Sequence, residues 1–234
     1  MALVLNSGAI FLHVPKTGGS WVRAVLEELD LADYELGHAH GDMDHVSFYA
    51  KFASGRQYLK YLIRKKLLGQ IRRTPEESYY RFCFVRHPVS WYESWWRYNA
   101  DRGWPEWGDR GDVTRWHPNA DLNGLGADEF NAYVRRVIGR YPGYVTDLFG
   151  GYTKSCDFVG KQENLVTDLV AVLAHLGVAV DEQKLRSITR SNTSDSEREV
   201  EWDPDLLREV ERLEYAGIVR YGYRSRTRDL AQLA

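Results

Sequence analysis

Two short runs of consecutive apolar residues each stand just before a loop and a helix. The first run, residues 9–14, ends at Pro15, and the second, residues 82–85, is followed closely by Pro88. An apolar run of strand length without polar alternation is typical of a strand buried on both faces of a parallel sheet. The pattern therefore predicts two strand-loop-helix units.

The same pattern predicts helices behind the strands. The helix after the first loop presents five apolar residues on one face, namely Trp21, Val22, Val25, Leu26 and Leu29. A third strand at residues 158–159 is followed by a helix over residues 165–176 that Gly177 closes, and a last helix begins at Asp203-Pro204 and ends at Gly217. Strands that alternate with helices of this length predict an α/β fold with a central, mostly parallel sheet flanked by helices.

Two further segments differ from these units. Residues 99–126 are rich in Gly, Asp, Asn and Pro and contain Trp104, Trp107 and Trp116, so we interpret them as a long loop or lid. Residues 58–71 predict a basic amphipathic helix, because seven basic residues and no acidic residue lie over residues 56–73. A chain of 234 residues has the length of one domain with a sizeable core, and we expect a single domain over residues 1–234.

Charge and cysteine content exclude several classes of protein. The formal net charge is -2, so the chain has no global attraction for nucleic acid or acidic membranes, and we expect no nucleic-acid partner. Cys83 and Cys156 form no CxxC motif, which argues against a disulfide framework and a structural zinc site. The apolar stretch near the N-terminus is far shorter than the roughly 20 residues of a membrane span. We therefore expect a cytoplasmic protein without a membrane span.

The loop after the first strand has the composition of a phosphate-binding loop. Glycines let backbone N–H groups approach an anion, the following helix N-terminus adds partial positive charge, and Lys16, Thr17 and Ser20 add donors. The Walker A motif needs Gly immediately before its Lys, where this chain has Pro15, so the loop is of another kind. The alternative is an ordinary strand-to-helix turn with an exposed lysine. The whole loop reads Pro15, Lys16, Thr17, Gly18, Gly19, Ser20 and Trp21.

The loop after the second strand offers a second anion site. Arg86 follows the strand directly, and Ser90 and Ser94 share one face of the next helix. A guanidinium and a hydroxyl can hold a phosphate between them. Taken singly, each of these residues is also compatible with a structural role. Ligands of such sheets bind beyond the carboxyl ends of the strands, so the two loops together favour one ligand with several negative charges.

These loops resemble those of the sulfotransferases that use 3′-phosphoadenosine 5′-phosphosulfate (PAPS). In that family a loop similar to residues 15–21 cradles the 5′-phosphosulfate, and an Arg with a Ser eight residues later, here Arg86 and Ser94, holds the 3′-phosphate. Residues 158–165 and 220–223 are similar to the family's later strand-helix unit and to its closing aromatic segment. The resemblance is closer to the compact bacterial and carbohydrate-type branch, and it implies a P-loop-like three-layer fold.

The resemblance also implies the chemistry. PAPS is the expected donor, adenosine 3′,5′-bisphosphate (PAP) the product, and a hydroxyl of a small molecule or glycan the acceptor, with no metal required. Transfer of the sulfuryl group is in line, and Lys16 stabilises the charge that builds on the leaving phosphate. By the same resemblance Trp21 stacks on the adenine. Arg190 stands near the family's basic cofactor loop, but that loop's Arg-Lys-Gly sequence is absent here.

The acceptor hydroxyl must lose a proton, and a histidine has a suitable pKa for this step. The family places its base between the first two units, where His38 aligns with it and His40 is the second candidate; Glu93 is a weaker alternative. A His-x-His pair is also compatible with a metal site or with two structural histidines. No carboxylate or cysteine cluster can be placed beside the pair from the sequence, so we predict no metal.

Other signals are less specific. Trp91 and Trp95 on the predicted helix suit either the core or an acceptor wall, whereas the tryptophans of the long loop favour acceptor binding. The basic helix suits an anionic acceptor or a solvated face. Two other functions are alternatives: a nucleotide kinase of related fold, which the order of Lys and Gly in the first loop disfavours, and a non-catalytic nucleotide-binding module.

Overall fold

The computed structural model describes residues 2–36, 40–44, 79–108, 116–188 and 198–227. Within these ranges the strands are β1 (Ala2–Leu5), β2 (Ala9–Leu12), β3 (Ala32–Leu36), β4 (Tyr80–Val85) and β5 (Phe158–Lys161). The helices are α1 (Gly19–Glu28), α2 (Pro88–Ala100), α3 (Phe130–Arg140), α4 (Tyr144–Thr153), α5 (Leu165–His175), α6 (Glu182–Ser187), α7 (Pro204–Leu213) and α8 (Tyr215–Arg220). Short 3-10 helices cover Ala120–Leu122 and Gln162–Asn164.

The strands form one open mixed sheet in the order β3-β1-β2-β4-β5. Strands β2, β4 and β5 are parallel neighbours, with Phe11 opposite Phe82 and Val85 opposite Lys161. Strand β1 is antiparallel to both β2 and β3, and these two antiparallel pairings complete one side of the sheet. Because β2 and β4 run in the same direction, the loops that follow them leave the sheet at the same edge.

Alternate residues of the strands enter two hydrophobic cores. Ile10 and Val85 pack in a core with residues of α2, α3, α4 and α7, whereas Phe11 and Phe84 pack in a core with residues of α1, α5 and α6. Successive side chains of a strand point to opposite faces of its sheet. The two cores therefore lie on opposite faces, and helices flank the sheet on both sides.

The α/β class with a central, mostly parallel sheet is confirmed. The strands predicted at residues 9–14, 82–85 and 158–159 correspond to β2, β4 and β5. Strands β1 and β3, which form the antiparallel part of the sheet, were not predicted. Strand β3 contains Asp33 and Glu35, whose side chains are exposed, so it has no continuous apolar run. A P-loop-like fold is not established by this sheet.

Two predicted helix boundaries agree with the structure, and one does not. Helix α2 begins at Pro88, where a missing N–H leaves no hydrogen bond unmade. Gly177 follows α5 with a φ of 74°, as expected of a glycine that ends a helix. The last helix was wrongly predicted to end at Gly217, because it ends at Leu213 and Gly217 lies within α8. A Cβ at Gly217 would be 2.5 Å from the hydroxyl of Thr146, so this glycine allows α8 to approach α4 closely.

The described parts of the predicted lid are mostly irregular. Residues 101–108 and 116–127 contain turns and one 3-10 helix, and an isolated bridge joins Gly108 to Trp116. Residues 109–115 and the predicted basic helix over residues 58–71 lie outside the described residues. Among the helices that the structure describes, none is long and apolar enough to cross a membrane.

Glu214 is a buried carboxylate at the junction of α7 and α8. One of its oxygens accepts hydrogen bonds from the Tyr92 hydroxyl at 2.7 Å and the Val145 backbone N–H at 3.1 Å. The other accepts from the backbone N–H of Thr146 at 2.8 Å and from its hydroxyl at 2.6 Å. Both oxygens are thus satisfied, and the carboxylate connects α2 to the N-terminus of α4.

We expect Glu214→Ala to lower the free energy of unfolding by about 3 kcal/mol, because it removes the carboxylate that accepts from the Tyr92 hydroxyl and from the backbone N–H groups of Val145 and Thr146. Urea denaturation followed by circular dichroism measures this change. Glu209→Ala is the matched control, since Glu209 is exposed on α7, and it should change the same free energy by less than about 0.5 kcal/mol. Equal effects of the two variants would contradict a structural role for the Glu214 carboxylate.

Candidate functional site

The loop between β2 and α1 is held by buried hydrogen bonds to its backbone. The Thr17 side chain is 1% exposed, and its hydroxyl donates to the carbonyl of Val14 at 2.9 Å. The indole N–H of Trp91 on α2 donates to the carbonyl of Pro15 at 3.0 Å. A hydroxyl has a single proton to donate, so Thr17 shapes the loop here rather than offering that proton to a ligand.

Two glycines of this loop make its path possible. Gly18 has a φ of 83°, and a Cβ there would be 2.7 Å from the Leu165 side chain. A Cβ at Gly19 would be 2.1 Å from the imidazole of His13. The loop therefore passes between α5 and the end of β2 at a distance that any larger residue would prevent.

The N-terminus of α1 faces the same loop. Gly18 is its N-cap, no side chain caps the helix, and its first turn has no acidic residue. The first N–H groups of an α-helix have no partner within the helix, and the helix dipole adds partial positive charge there. Gly19 and Ser20, which open α1, thus lie where backbone N–H groups favour an anion.

Lys16 is the centre of a group of cations. Its backbone has a φ of 64°, which is uncommon for a residue with a Cβ. Its ammonium lies 4.0 Å from the centre of the Tyr98 ring, and the guanidinium of Arg102 lies 3.8 Å from the same centre. Burial, followed by repulsion from Arg86 and Arg102, lowers the pKa of Lys16 to about 8. The charges that act on Lys16 are therefore cationic, which favours an anionic ligand here.

Arg86 lies at the carboxyl end of β4, where the sequence predicted it. Its guanidinium is 3.5 Å from the carbonyl of Lys16, so the two predicted loops meet. Its Nε–H is buried and has no hydrogen-bond partner within the described part of the chain. Burial lowers the pKa of Arg86, whereas Glu163 acts in the opposite direction. A buried guanidinium N–H without an acceptor is consistent with a site that an anion completes.

The α2 helix carries the other residues predicted for the second loop. Ser94 is buried, with 7% of its surface exposed. Ser90 accepts a hydrogen bond from Arg226, which also pairs with Glu93 at 2.7 Å. The indole N–H of Trp202 donates to the same oxygen of Glu93 at 2.9 Å. The Arg226 guanidinium and the Trp202 indole thus occupy this oxygen, and their contacts argue against Glu93 as a base.

Glu163 and the C-terminal segment hold the loop that follows β4. The carboxylate of Glu163 accepts from the backbone N–H of His87 at 2.9 Å and from the Tyr223 hydroxyl at 2.9 Å. The His87 imidazole caps α2 by accepting from the Val89 backbone N–H at 3.2 Å, and its other nitrogen is 2.9 Å from the carbonyl of Arg224. These contacts position the loop that carries Arg86.

The His40 ring contacts two other histidine rings beside the first loop. The His40 ring lies 4.5 Å from that of His13 and 4.8 Å from that of His117, measured between ring centres. The Nδ1 of His40 is 3.0 Å from the carbonyl of His13. A carbonyl only accepts, so Nδ1 carries the proton in this contact and Nε2 is the basic nitrogen. Burial, and then the charge of His40, hold the pKa of His13 well below its usual range.

An open cleft adjoins the histidine group. It has a volume of about 740 Å³. It is lined by aromatic rings, by His117 and by three aspartates, among them Trp116, Tyr141, Tyr144, Tyr152, Asp42, Asp121 and Asp147. The Tyr152 hydroxyl donates to the carbonyl of His40, which joins the cleft wall to the histidine group. A molecule in the cleft would thus be adjacent to His117 and close to His40.

Several predicted residues are elsewhere or are not described. Trp21 is 2% exposed, and its indole N–H donates to the carbonyl of Ile188 at 3.0 Å. As placed, it is a core residue with no open face for an adenine ring. His38 and Arg190 lie outside the described residues. Trp91 and Trp95 are buried and stack on each other at 5.5 Å, in agreement with the core interpretation.

The sequence reasoning missed three contributors to the site. Arg102 follows α2, and its guanidinium contacts the same Tyr98 ring as the Lys16 ammonium. His117 was assigned only to the lid, and it meets His40 across a large sequence separation. Arg226 was not considered, although it contacts Glu93 and Ser90 on the helix that follows the second loop. Among the described residues no group of three or more His, Cys, Asp or Glu side chains is placed to hold a metal ion.

Comparison of the chain with protein-family models, with curated proteins and with solved structures gives no significant match.

Proposed function

We propose that this protein is a sulfotransferase that moves the sulfuryl group of PAPS to an acceptor hydroxyl. The observation that carries the proposal is the meeting of the two predicted loops, with the Arg86 guanidinium 3.5 Å from the carbonyl of Lys16. A single small ligand with phosphate groups at both ends can contact both loops. The resemblance of these loops to those of PAPS-dependent enzymes supplies the identity of that ligand.

The donor's 5′-phosphosulfate would be bound by the first loop. The α1 N-terminus offers the backbone N–H groups of Gly19 and Ser20, and Lys16 supplies a cation. The donor's 3′-phosphate would be bound by Arg86, whose buried Nε–H lacks an acceptor, and by Ser94 on α2. The residues of the two loops therefore fit the two anionic ends of PAPS.

Lys16 and His40 have different chemical roles in this proposal. Lys16 stabilises the negative charge that grows on the bridging oxygen of the leaving phosphate. His40 accepts the acceptor's proton at Nε2, because the contact of Nδ1 with the His13 carbonyl holds the proton on Nδ1. The hydroxyl oxygen forms the new bond to sulfur as the bond from sulfur to the phosphate oxygen breaks.

The cleft of about 740 Å³ is the proposed path of the acceptor, because His117 and Tyr152 line it and both contact His40. Its aromatic walls suit the apolar faces of sugars as well as aromatic rings. The volume falls within the range of small-molecule sites. The proposed acceptor is therefore a small molecule or a terminal sugar.

Incubation of the protein with PAPS labelled in the sulfuryl group, together with sugars, phenols and hydroxylated lipids, tests the proposal. We expect label in at least one hydroxyl product, with transfer at least about 10²-fold slower in Lys16→Ala. Absence of any transfer that depends on Lys16 across the panel, together with failure of PAP to raise the Tm, would contradict it.

The pKa of Lys16 leads to a pH-dependent prediction. With a pKa of about 8 in the free protein, a large fraction of Lys16 is neutral at a pH slightly above 8, and an anionic ligand raises that pKa. Binding of PAP should therefore take up protons near pH 8.5, as calorimetry in buffers of different ionisation enthalpy would measure. Lys16→Met should abolish most of this uptake, and an unchanged uptake in Lys16→Met would contradict the assignment.

A further inference from the structure

A second, smaller cavity lies under the predicted lid. It has a volume of about 200 Å³, room for about six or seven waters. Three of its wall residues are tryptophans, namely Trp95, Trp104 and Trp107, and Asn99, Asn119 and Asn123 also line it. It differs from the open cleft, because residues 116–124 run between the two and contribute to both walls.

Two of the residues that line this cavity carry buried polar atoms without hydrogen bonds. Asn119 is 0% exposed, and neither its side-chain oxygen nor its side-chain nitrogen has a partner within the described part of the chain. The indole N–H of Trp104 is likewise buried and without a partner there. Buried polar groups in proteins are nearly always hydrogen-bonded to the protein, to ordered water or to a ligand, so the Asn119 amide and the Trp104 indole require partners that the described chain does not supply.

The backbone of Trp104 gives independent support. Its φ of 57° is a genuine outlier for a bulky residue. Gly126 lies directly against the ring, since a Cβ there would be 2.4 Å from the Trp104 side chain. Backbone outliers of this kind cluster at ligand-binding sites, where the surrounding structure holds them. The chain thus holds this indole at the cavity wall by an unfavourable local conformation.

We propose that this cavity binds an uncharged polyhydroxylated ring of monosaccharide size. Tryptophan rings present flat apolar surfaces to the C–H faces of a sugar. The amide of Asn119 has one acceptor and one donor group, which matches two neighbouring hydroxyls, and the Trp104 indole donates to a third oxygen. The proposal rests on the cavity alone and does not depend on sulfuryl transfer.

A quaternary ammonium ion is the main competing ligand, because three tryptophans and Glu106 line the cavity. Such a cation has no hydrogen-bonding groups, so it would leave the amide of Asn119 and the indole N–H of Trp104 unpaired. The hydroxyls of a sugar supply the kinds of donor and acceptor that these three polar atoms lack. The unpaired atoms therefore favour the polyhydroxylated ring.

The position of the cavity relates it to the candidate site. Trp95 lies 5.5 Å from the His117 ring and Trp107 lies 4.5 Å from it, measured between ring centres. A sugar in the cavity would thus be separated from the histidine group by single aromatic side chains. A sugar bound in the cavity would restrict the movement of the segment that includes His117.

The test is titration of the full chain, without PAPS, with methyl glucopyranoside, methyl galactopyranoside and tetramethylammonium. Indole N–H signals are followed by nuclear magnetic resonance, and the Trp104 signal is assigned by its loss in Trp104→Phe. We expect a saturable shift of the Trp104 signal with at least one pyranoside. The Trp202 indole, which donates to Glu93, is the internal control and should not shift.

Two variants extend the test. Asn119→Ala should weaken pyranoside binding by about tenfold or more, and Trp104→Phe, which retains an aromatic ring, by about tenfold. Should Asn119→Ala fail to fold, Trp104→Phe and the wild-type titration still decide the question. Trp202→Phe is the matched control and should leave the affinity unchanged. A saturable response to tetramethylammonium alone, or no response of the Trp104 signal up to the solubility limit of the sugars, would overturn the proposal.

Discussion

Lys16→Ala should lower kcat for sulfuryl transfer by about 10²–10³-fold, because removal of one group that stabilises transition-state charge has this effect in other enzymes. Lysine and alanine both carry a Cβ. The substitution therefore leaves the strain of the left-handed backbone at this position, with its φ of 64°, about the same. Measurement of single-turnover rates with labelled PAPS separates this chemical step from binding.

Arg208→Ala is the control for loss of a positive charge. Arg208 is exposed on α7 and pairs with Asp205 on the same helix, so its removal should leave kcat within about twofold of wild type, in line with the small energetic weight of surface ion pairs. If Lys16→Ala also retained full kcat, the cation at the first loop would have no part in the chemistry.

The second prediction concerns the proton acceptor. His40→Ala should lower kcat by about 10²–10⁴-fold, the usual contribution of a general base. The contact of its Nδ1 with the His13 carbonyl orients the ring, and its neighbour His117 faces the cleft proposed for the acceptor. PAP affinity should change little, since the proposed phosphate contacts come from Lys16, Arg86 and the α1 N-terminus and not from the His40 ring.

His38→Ala is the informative comparison, because the resemblance to PAPS-dependent enzymes favours His38. If His40 is the base, His38→Ala should have a kcat close to that of wild type, whereas His40→Ala should not. The reverse result would assign the base to His38 and leave His40 as a positioning residue. Glu93→Gln should mainly lower stability, because Glu93 is paired with Arg226 and Trp202.

Much of the fold could be predicted from local patterns. Strand β2 and residues 82–85 of β4 are uninterrupted apolar runs because both of their faces are buried, and this pattern is readable from the sequence. Strand β3 was missed because a strand with exposed acidic side chains has no such run. Helix α3 was not predicted, although Phe130, Tyr133 and Val134 begin a readable helical period just after the long loop.

The candidate site could be predicted only where one loop supplies several groups. Lys16 and Arg86 were found because each follows a buried strand, and the parallel sheet brings such loops together. Arg102 and Arg226 were missed because their contribution depends on tertiary contacts between distant segments. The same holds for the group of His13, His40 and His117, which come from three separate segments.

The stacking role of Trp21 illustrates the opposite error. Its place directly after the glycines matches the resemblance, yet helical spacing puts it on the buried face of α1 together with Val22 and Val25. The amphipathic pattern of the helix therefore described its position better than the motif did. An adenine site, if PAPS binds as proposed, requires another surface or a rearranged Trp21 ring.

The most direct measurement is calorimetric titration of the purified chain with PAP, with 5′-AMP and with ATP in the presence of Mg²⁺. If Arg86 and Ser94 hold a 3′-phosphate, PAP should bind about 10²-fold or more tightly than 5′-AMP, because two charge-assisted hydrogen bonds are involved. ATP with Mg²⁺ should bind weakly. Equal affinities for PAP and 5′-AMP, or tighter binding of ATP with Mg²⁺, would contradict the proposed function.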